Sequence, residues 1–410
     1  MKKIVFQNLS ITVISKILSF VSFVYIAKVL SKNDYGTFVY ISMILSLLPL
    51  LQFGSMHGAM ILLPKYIARQ DKSDDRLFWS YNTFSHLIQL ASIPVLFLFD
   101  VELSLFVLLI AAANYLLSKY SENIQILLSS NLEFEKTNII KAIDQIARPT
   151  VTLGLFFYYK NIESLFVSQM IVTLLTFLIS NYFVKFRFYR FEFFEFKSNI
   201  IAIYKIGFFI YLTWAIDMLF RTADRWFISQ FYSLSELAEY GFTSSLAMNI
   251  WLLAMSFFGP YAQMLYKYVA ENRFIDAKKI VEDTNKKIYI LLSLISIVEI
   301  VAYPFILKFI IKKYFGTEHL FLVLVVSAVF LSINNMYIYY MISNNLHFIM
   351  LKYQIFILVL NLFLNTVFAF FHLSILYYSY STIISLAMYF ILLRRYFYLD
   401  ISKKLEPQTL

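Results

Sequence analysis

Residues 217–225 of this chain read DMLFRTADR, and this charged stretch lies inside an apolar run that extends from about residue 206 to residue 231. On an α-helix, Asp217, Arg221, Asp224 and Arg225 fall on one narrow wedge of the surface. A run of this length can span a bilayer, where one central charge costs roughly 2.5–3.5 kcal/mol on insertion scales. Four charges on one face must pair or line a wet cavity, so we expect this helix to border an aqueous route for something charged.

The composition of the whole chain indicates a polytopic membrane protein. Of the 410 residues, 60% are hydrophobic and only 15% are charged, and the mean hydropathy is +0.70. Soluble domains carry about 25% charged residues. The net charge of +10 would suggest nucleic acid in a soluble protein, but basic cytoplasmic loops account for it here, so we expect no nucleic-acid partner. The chain has no cysteine, which excludes a disulfide framework, a thiol nucleophile and thiolate-bound metal.

Apolar segments recur at intervals that fit about twelve transmembrane helices, giving an all-α fold. Twenty-four of the 35 Lys and Arg residues lie on the predicted cytoplasmic side of these spans and seven on the other side. By the positive-inside rule, both termini are therefore expected in the cytoplasm. The predicted spans are 8–30, 36–63, 83–99, 103–128, 142–159, 165–184, 206–231, 237–264, 288–309, 320–342, 353–371 and 374–393.

A short internal repeat divides the chain into halves. Residues 30–38 read LSKNDYGTF and residues 234–242 read LSELAEYGF, with Tyr35 and Tyr240 separated by 205 residues. Two halves of six spans with matching orientation predict parallel repeats, related by an axis along the membrane normal. The predicted six-helix lobes are residues 1–200 and residues 201–410.

The predicted spans contain ionisable side chains, which are costly in a membrane and mark functional positions there. Cations near mid-depth suit a phosphate or an acidic sugar, so we assign them to a substrate cavity. Three acids are candidates for ion coupling, and the remaining charges are intramembrane polar groups that could equally be structural ion pairs. The cavity cations are Lys16, Lys119, Arg148 and Arg221. The coupling candidates are Asp217, Asp224 and Glu299, and the other polar groups are Glu122, Asp144 and Arg225.

Several enzyme signatures are missing from the sequence. It contains no G-x-x-x-x-G-K-[ST] phosphate-binding loop, no H-E-x-x-H metal motif and no dinucleotide fingerprint. We therefore expect no cofactor, no metal site and no catalytic residues, and a transporter without its own nucleotide-hydrolysis engine.

At the level of motifs, the chain resembles the polysaccharide transporter branch of the multidrug/oligosaccharidyl-lipid/polysaccharide (MOP) exporters, which includes the Wzx-type flippases of O-antigen and capsule repeat units. The similarity rests on KVLSKNDYGTF at 28–38 and on ADRWFI at 223–228 followed by LAEYGF at 237–242. Asp224 and Arg225 match the family's D-R pair. The Y-G turns are matched by Tyr35, Gly36, Tyr240 and Gly241.

This resemblance implies a MATE-like, two-lobed bundle with a partly cationic central cavity in the bacterial inner (cytoplasmic) membrane. It further implies that an undecaprenyl-diphosphate-linked oligosaccharide moves from the cytoplasmic to the periplasmic leaflet by alternating access, with ion or proton antiport. Expected partners are the lipid bilayer, a polysaccharide polymerase and a chain-length regulator.

Two other classes of protein remain as alternatives. A MATE-like drug/cation antiporter would have an acid-dominated cavity, whereas these spans mix acids with cations. A membrane polysaccharide polymerase or glycosyltransferase would carry a long extracytoplasmic loop, and the predicted outside loops are all short.

Overall fold

The structure is a computed structural model that describes residues 2–68, 74–96, 104–184 and 193–405. Across these ranges the chain is helical, and each predicted span coincides with helical structure, which confirms the all-α fold class. Residues 97–99 of the third predicted span and residue 103 of the fourth lie outside the described ranges. The α-helices are α1 Lys2–Val29, α2 Lys32–Leu47, α3 Ser55–Ala68, α4 Asp74–Leu96, α5 Leu105–Ser130, α6 Phe134–Tyr159, α7 Ile162–Val184, α8 Phe193–Phe231, α9 Leu234–Ala270, α10 Phe274–Phe309, α11 Glu318–Ser343, α12 His347–Phe370 and α13 Ile375–Leu405.

Within the described residues, seven helical segments are long and apolar enough to cross a membrane, so the protein is a multi-pass membrane protein. Predicted spans that contain several charges, such as the segment in α6, do not meet this hydropathy criterion although they are helical. The seven segments are Lys32–Gln52, Ile162–Val184, Glu195–Phe231, Phe274–Phe309, Glu318–Ser343, His347–Phe370 and Ile375–Leu405.

The chain forms two compact units, Met1–Ala215 and Ile216–Leu410, and α8 runs through the boundary. In the first unit, α7 packs on α5 and α6, and α1 packs on α6. A second layer joins α3, α4, α5 and the start of α8 around the fully buried rings of Phe78 and Tyr81. In the second unit, α11 is the central helix and packs against α9, α10 and α13.

The second predicted span is interrupted, which differs from the continuous helix expected over 36–63. After α2, a 3-10 helix covers Leu48–Gln52, and Phe53 and Gly54 then adopt left-handed backbone angles with φ of 46° and 92°. The break leaves carbonyl groups without helical partners, which is costly in a membrane unless other groups satisfy them. Two tyrosines of α8 bond this segment. The Tyr211 hydroxyl donates at 2.5 Å to the Leu50 carbonyl, which also accepts from the Phe53 N–H at 3.3 Å, and the Tyr204 hydroxyl donates to the Gln52 carbonyl at 3.0 Å.

Close backbone contact holds this break against α8. A Cβ atom on Gly54 would lie 2.7 Å from the carbonyl oxygen of Gly207. A Cβ on Gly58 would collide with the carbonyl of Ile203, and one on Gly207 would collide with the backbone of Gly54 and Gly58. Small residues permit this approach of helix backbones, as they do at many membrane helix interfaces.

Several helices extend well beyond their predicted spans. The ninth predicted span begins at residue 288, but α10 begins at Phe274 and includes a basic segment that we expected to be a loop. Hydropathy predicts only the part of a helix that lies in the bilayer. Because Lys and Glu are good helix formers in water, a charged segment next to a span can continue the same helix.

Short turns with a left-handed residue end α5, α9 and α11, and in each an N–H bonds a carbonyl five residues earlier. These bonds join Glu133 to Leu128, Arg273 to Tyr268 and Leu346 to Met341.

The two similar motifs of the sequence each lie at the start of a helix, α2 and α9. Ser31 caps α2 by accepting from the Asp34 N–H, and Ser233 caps α9 in a reciprocal capping box with Glu236. Tyr35 and Tyr240, at 2% and 3% exposure, are both buried. Tyr35 is the fourth residue of its helix and Tyr240 the seventh, so their positions differ by about one helical turn.

Candidate functional site

The C-terminal part of α8, in the second unit, carries the four charges of the opening stretch, and they face different surroundings. Asp217 and Arg221 form an i,i+4 ion pair at 2.8 Å and remain 39% and 27% exposed. The Arg221 guanidinium also lies 4.1 Å from the ring centroid of Trp251 on α9, a favourable cation–π arrangement. Arg221 is thus in contact with both Asp217 and Trp251, and both charged side chains remain partly exposed.

Asp224, in contrast, points into the core of the second unit and is only 5% exposed. Its carboxylate accepts hydrogen bonds from the Tyr240 hydroxyl at 2.5 Å, from the Asn365 amide at 2.9 Å and from the Thr382 hydroxyl. These donors come from α9, α12 and α13. One carboxylate therefore ties four helices together, and every partner is uncharged.

The Asp224 cluster continues through a second layer of polar groups. The Asn365 amide also donates to Asn361, whose own amide donates to the Ser381 hydroxyl at 3.1 Å. Ser381 in turn donates to Asn365 and to the carbonyl of Tyr378. Carboxylate, amide, hydroxyl and carbonyl oxygens thus converge within one buried region. Such hard oxygen donors suit a hard cation or a proton.

Sequence reasoning identified Asp224 but missed most of its partners. Asn361 and Asn365 were visible as polar residues within an apolar span, and Tyr240 as part of a repeated motif. Thr382 and Ser381 gave no signal, because hydroxyl side chains are common in membrane helices and usually bond their own helix. Among the described residues no group of three or more His, Asp or Glu side chains could hold a metal ion.

Two further predicted site residues of the second unit make no hydrogen bond to the Asp224 carboxylate among the described contacts. Arg225 donates to the Ser244 hydroxyl at 3.0 Å, so it anchors α8 to α9. Glu299 lies in α10, and its Oε2 atom is buried with no hydrogen-bond partner among the described residues. This oxygen of Glu299 thus lacks the compensating hydrogen bond that buried polar atoms usually have.

In the first unit, the intramembrane charges form two local ion pairs. Lys119 and Glu122 of α5 are paired at 2.5 Å, and Arg148 and Asp144 of α6 are paired across one helical turn. Glu122, Asp144 and Arg148 are 42%, 37% and 33% exposed. Charges that remain this open within apolar helices need contact with water or head groups.

Lys16 occupies the position in α1 that the 205-residue offset relates to Arg221. Its side chain is exposed and has no bonded partner among the described residues. The adjacent turn of α1 is fixed to α6, because the Ser22 hydroxyl donates to the carbonyl of Pro149 at 2.9 Å. The Lys16 side chain is thus exposed and has no ion-pair partner among the described residues, whereas Arg221 is paired with Asp217.

A pocket of about 300 Å³ opens in the first unit between α3, α5 and α6. One wall is formed by Met56, Met60 and Pro64 of α3, spaced four residues apart. The opposite wall carries polar groups of α5 and the ammonium of Lys141 on α6. Sequence reasoning treated Lys141 only as a cytoplasmic topology marker, since a lysine near a span end usually has that role.

The long apolar helices and the charged side chains within them define a polytopic membrane protein. The chain belongs to the polysaccharide biosynthesis protein family, whose model matches residues 1–266. No curated protein matches the chain at a significant level.

Three solved structures with similar folds are distant from this chain in sequence. An inward-facing multidrug resistance MATE family transporter of the MOP superfamily has a TM-score of 0.75, 11% identity, and coverage of 98% of this chain and 99% of that chain. The lipid II flippase MurJ, in an inward closed conformation, has a TM-score of 0.74, 17% identity, and coverage of 94% and 86%. A MOP superfamily transporter from Pyrococcus furiosus has a TM-score of 0.60, 13% identity, and coverage of 97% and 94%. These similarities confirm the fold of a transporter.

Proposed function

We propose that this protein is a flippase for undecaprenyl-diphosphate-linked oligosaccharides, the repeat units of O-antigen, capsule or exopolysaccharide. It would move them from the cytoplasmic to the periplasmic leaflet of the bacterial inner membrane, with both of its termini in the cytoplasm. The observation that carries this proposal is membership of the polysaccharide biosynthesis family in a chain with a transporter fold. The similar fold of a lipid II flippase supports a lipid-linked cargo.

The partly exposed ion pairs explain how apolar helices could pass a charged head group. Lys119, Arg148 and Arg221 each form an ion pair with an acidic neighbour on the same helix. When a diphosphate or acidic sugar approaches, each cation can exchange part of its contact with the carboxylate for a contact with the anion. Lys16, which has no such neighbour, can bind the anion directly.

Ion coupling in this proposal centres on Asp224. Its carboxylate and the surrounding neutral oxygens would take up a proton or a monovalent cation. Loss of the charge would weaken the hydrogen bonds that join α8 to α9, α12 and α13, and thereby favour one of two transport states. Asp217 and Glu299 are the other candidates, and Glu299 is distinguished by its unpaired buried oxygen.

A MATE-like drug/cation antiporter is the second candidate, because a MATE transporter has a similar fold over nearly the whole chain. A membrane polymerase or glycosyltransferase is less consistent with neighbours that are transporters. If the protein is a flippase, its expected working partners are a polysaccharide polymerase and a chain-length regulator.

Reconstitution separates these functions. Proteoliposomes that contain the protein and an undecaprenyl-diphosphate-linked glycan should expose the glycan to an external lectin faster than protein-free liposomes. Single variants Arg148→Gln and Arg221→Gln should slow this exposure at least about tenfold, because each removes one charged hydrogen-bond donor to the substrate. Lys136→Gln, which breaks an exposed pair with Glu133, should behave as wild type. Equal rates in liposomes with and without protein, together with drug efflux in cells, would favour the antiporter.

A further inference from the structure

The pocket of the first unit is lined mostly by residues that were not predicted as site residues; Glu122 is the exception. Two helix stripes line it: Met56, Met60 and Pro64 on α3, and residues 122, 125, 126, 129 and 130 on α5. Both stripes follow the spacing of one helix face. The pocket is therefore a groove between α3, α5 and α6 of one unit, and its volume is at the lower end of the range of about 300–1,000 Å³ for small-ligand sites.

The polar wall of this groove has unused hydrogen-bonding capacity. The side chains of Gln125, Ser129 and Lys141 have no bonded partner among the described residues. Ser130 donates to the carbonyl of Ile126 at 2.8 Å, which leaves its oxygen free to accept. The wall thus offers one amide, two hydroxyl oxygens and one ammonium to a ligand.

The net charge of the groove favours an anion. Glu122, the acid in its lining, already pairs with Lys119 at 2.5 Å. Lys141 therefore stays as an uncompensated positive charge in the groove. A cation would meet this ammonium, whereas a carboxylate or phosphate oxygen would gain a charge-assisted hydrogen bond.

The two unlike walls narrow the ligand class further. A pyranose ring has an apolar C–H face and an equatorial rim of hydroxyl groups. The Met and Pro wall can contact the apolar C–H face of the ring, and the amide and hydroxyl wall can hydrogen-bond to its hydroxyl groups. A lipid tail would leave the polar wall unsatisfied, at a cost of about 1–3 kcal/mol for each buried group without a partner.

We propose that this groove is a binding subsite for one anionic sugar unit of the cargo, with its carboxylate or phosphate on Lys141 and its apolar face on Met56 and Met60. The proposal rests on the flippase function and deepens it, because it assigns a specificity-determining contact to a lysine outside the predicted cavity set. Among diphosphate-linked cargoes, those whose glycan contains an anionic sugar are then preferred over those whose glycan is neutral.

The absence of native cysteine allows a binding test that involves no transport. Met60 is 51% exposed, so Met60→Cys in the full-length purified protein should react with a maleimide. A glucuronate-containing disaccharide or a hexose 1-phosphate should slow this reaction, and the neutral disaccharide should not. Glu135→Cys, an exposed position of α6 outside the groove, is the labelling control and should show no protection.

The lysine variants decide the assignment. In the Met60→Cys background, Lys141→Gln should raise the concentration of acidic sugar needed for half protection about tenfold, and Lys136→Gln should leave it unchanged. Lys141 is exposed and unpaired, so its neutralisation should not change the melting temperature. Protection by the uronate alone assigns the groove to an acidic sugar, protection by the phosphate alone assigns it to the phosphorylated end, and both outcomes support the subsite.

The subsite would be overturned by equal protection with Lys141→Gln, or by equal protection by neutral and acidic sugars. Absence of protection by any acidic probe would also overturn it. None of these results depends on lectin exposure in proteoliposomes. If the protein flips its lipid-linked cargo but fails the labelling test, the subsite is refuted and the flippase function stands. If acidic sugars protect the cysteine but no flipping is observed, the flippase function is refuted and the binding site stands.

Discussion

Asp217 and Asp224, about two turns apart on α8, have different structural roles. Asp224 accepts from Tyr240, Asn365 and Thr382 in the core, while Asp217 pairs with Arg221 and stays open. A buried donor without an acceptor costs about 1–3 kcal/mol, whereas an exposed pair contributes about 0–1 kcal/mol. The two carboxylates should therefore respond differently to the same substitution.

We predict that Asp224→Ala destabilises the protein by about 2–4 kcal/mol, because three buried donors lose their acceptor. Asp224→Asn should cost less, since it keeps one acceptor oxygen. Asp217→Asn should cost no more than about 1 kcal/mol. Melting temperatures of the purified variants in detergent give the comparison. Equal losses for Asp217→Asn and Asp224→Ala would contradict this division of roles.

Tyr240→Phe tests the same cluster from the side of the donor. Removing the hydroxyl leaves Asp224 with two donors and creates no unpaired group on α9. We expect a loss of about 0.5–1.5 kcal/mol in the free energy of unfolding, measured by thermal denaturation. A larger loss than that of Asp224→Ala would indicate that Tyr240 has a packing role beyond its hydroxyl.

At the residue scale, the sequence predicted which side chains are unusual but not where they point. The four charges of 217–225 share a wedge of about 100°, and the neighbours of the helix decide which part of that wedge is buried. For Asp224 these neighbours include Asn365 and Thr382, 141 and 158 residues away along the chain. Local periodicity carries no information on contacts at such separations.

At the scale of elements, the broken second span is the least predictable helix. Residues 48–58 are apolar apart from Gln52, Ser55 and His57, so hydropathy predicts a continuous span. The break is stabilised by tertiary contacts instead, through the hydroxyls of Tyr204 and Tyr211 and the close approach of Gly207. The helices around it were predictable because their apolar length alone defines them.

We predict that Gly58→Ala strongly destabilises the first unit, because the new Cβ would collide with the Ile203 carbonyl of α8. Gly154→Ala in α6 is the matched control, since a Cβ there meets no atom within 4 Å. That control should be neutral or stabilising by up to about 1 kcal/mol, from the better helix propensity of alanine. The yield of folded protein on size-exclusion chromatography and its melting temperature distinguish the two. Similar behaviour of both variants would argue against the glycine contact.

At the scale of the whole molecule, hydropathy and charge predicted the class of the protein well, because the bilayer imposes the same rules on every span. The lysine and arginine bias predicts the orientation of the chain in the membrane. The naturally cysteine-free sequence makes this orientation accessible to measurement, since any single introduced cysteine is the sole reactive thiol.

We predict that Phe315→Cys, 69% exposed beside the α10–α11 connection, reacts with a membrane-impermeant maleimide in intact spheroplasts. Lys279→Cys, on the exposed face of the basic segment of α10, should react only after the membrane is permeabilised. Lys279 belongs to the basic cytoplasmic set, whereas the 310–317 segment follows an odd-numbered span that begins in the cytoplasm and so lies outside. The reverse labelling pattern would invert the topology, and with it the direction in which the cationic positions meet lipid-linked cargo.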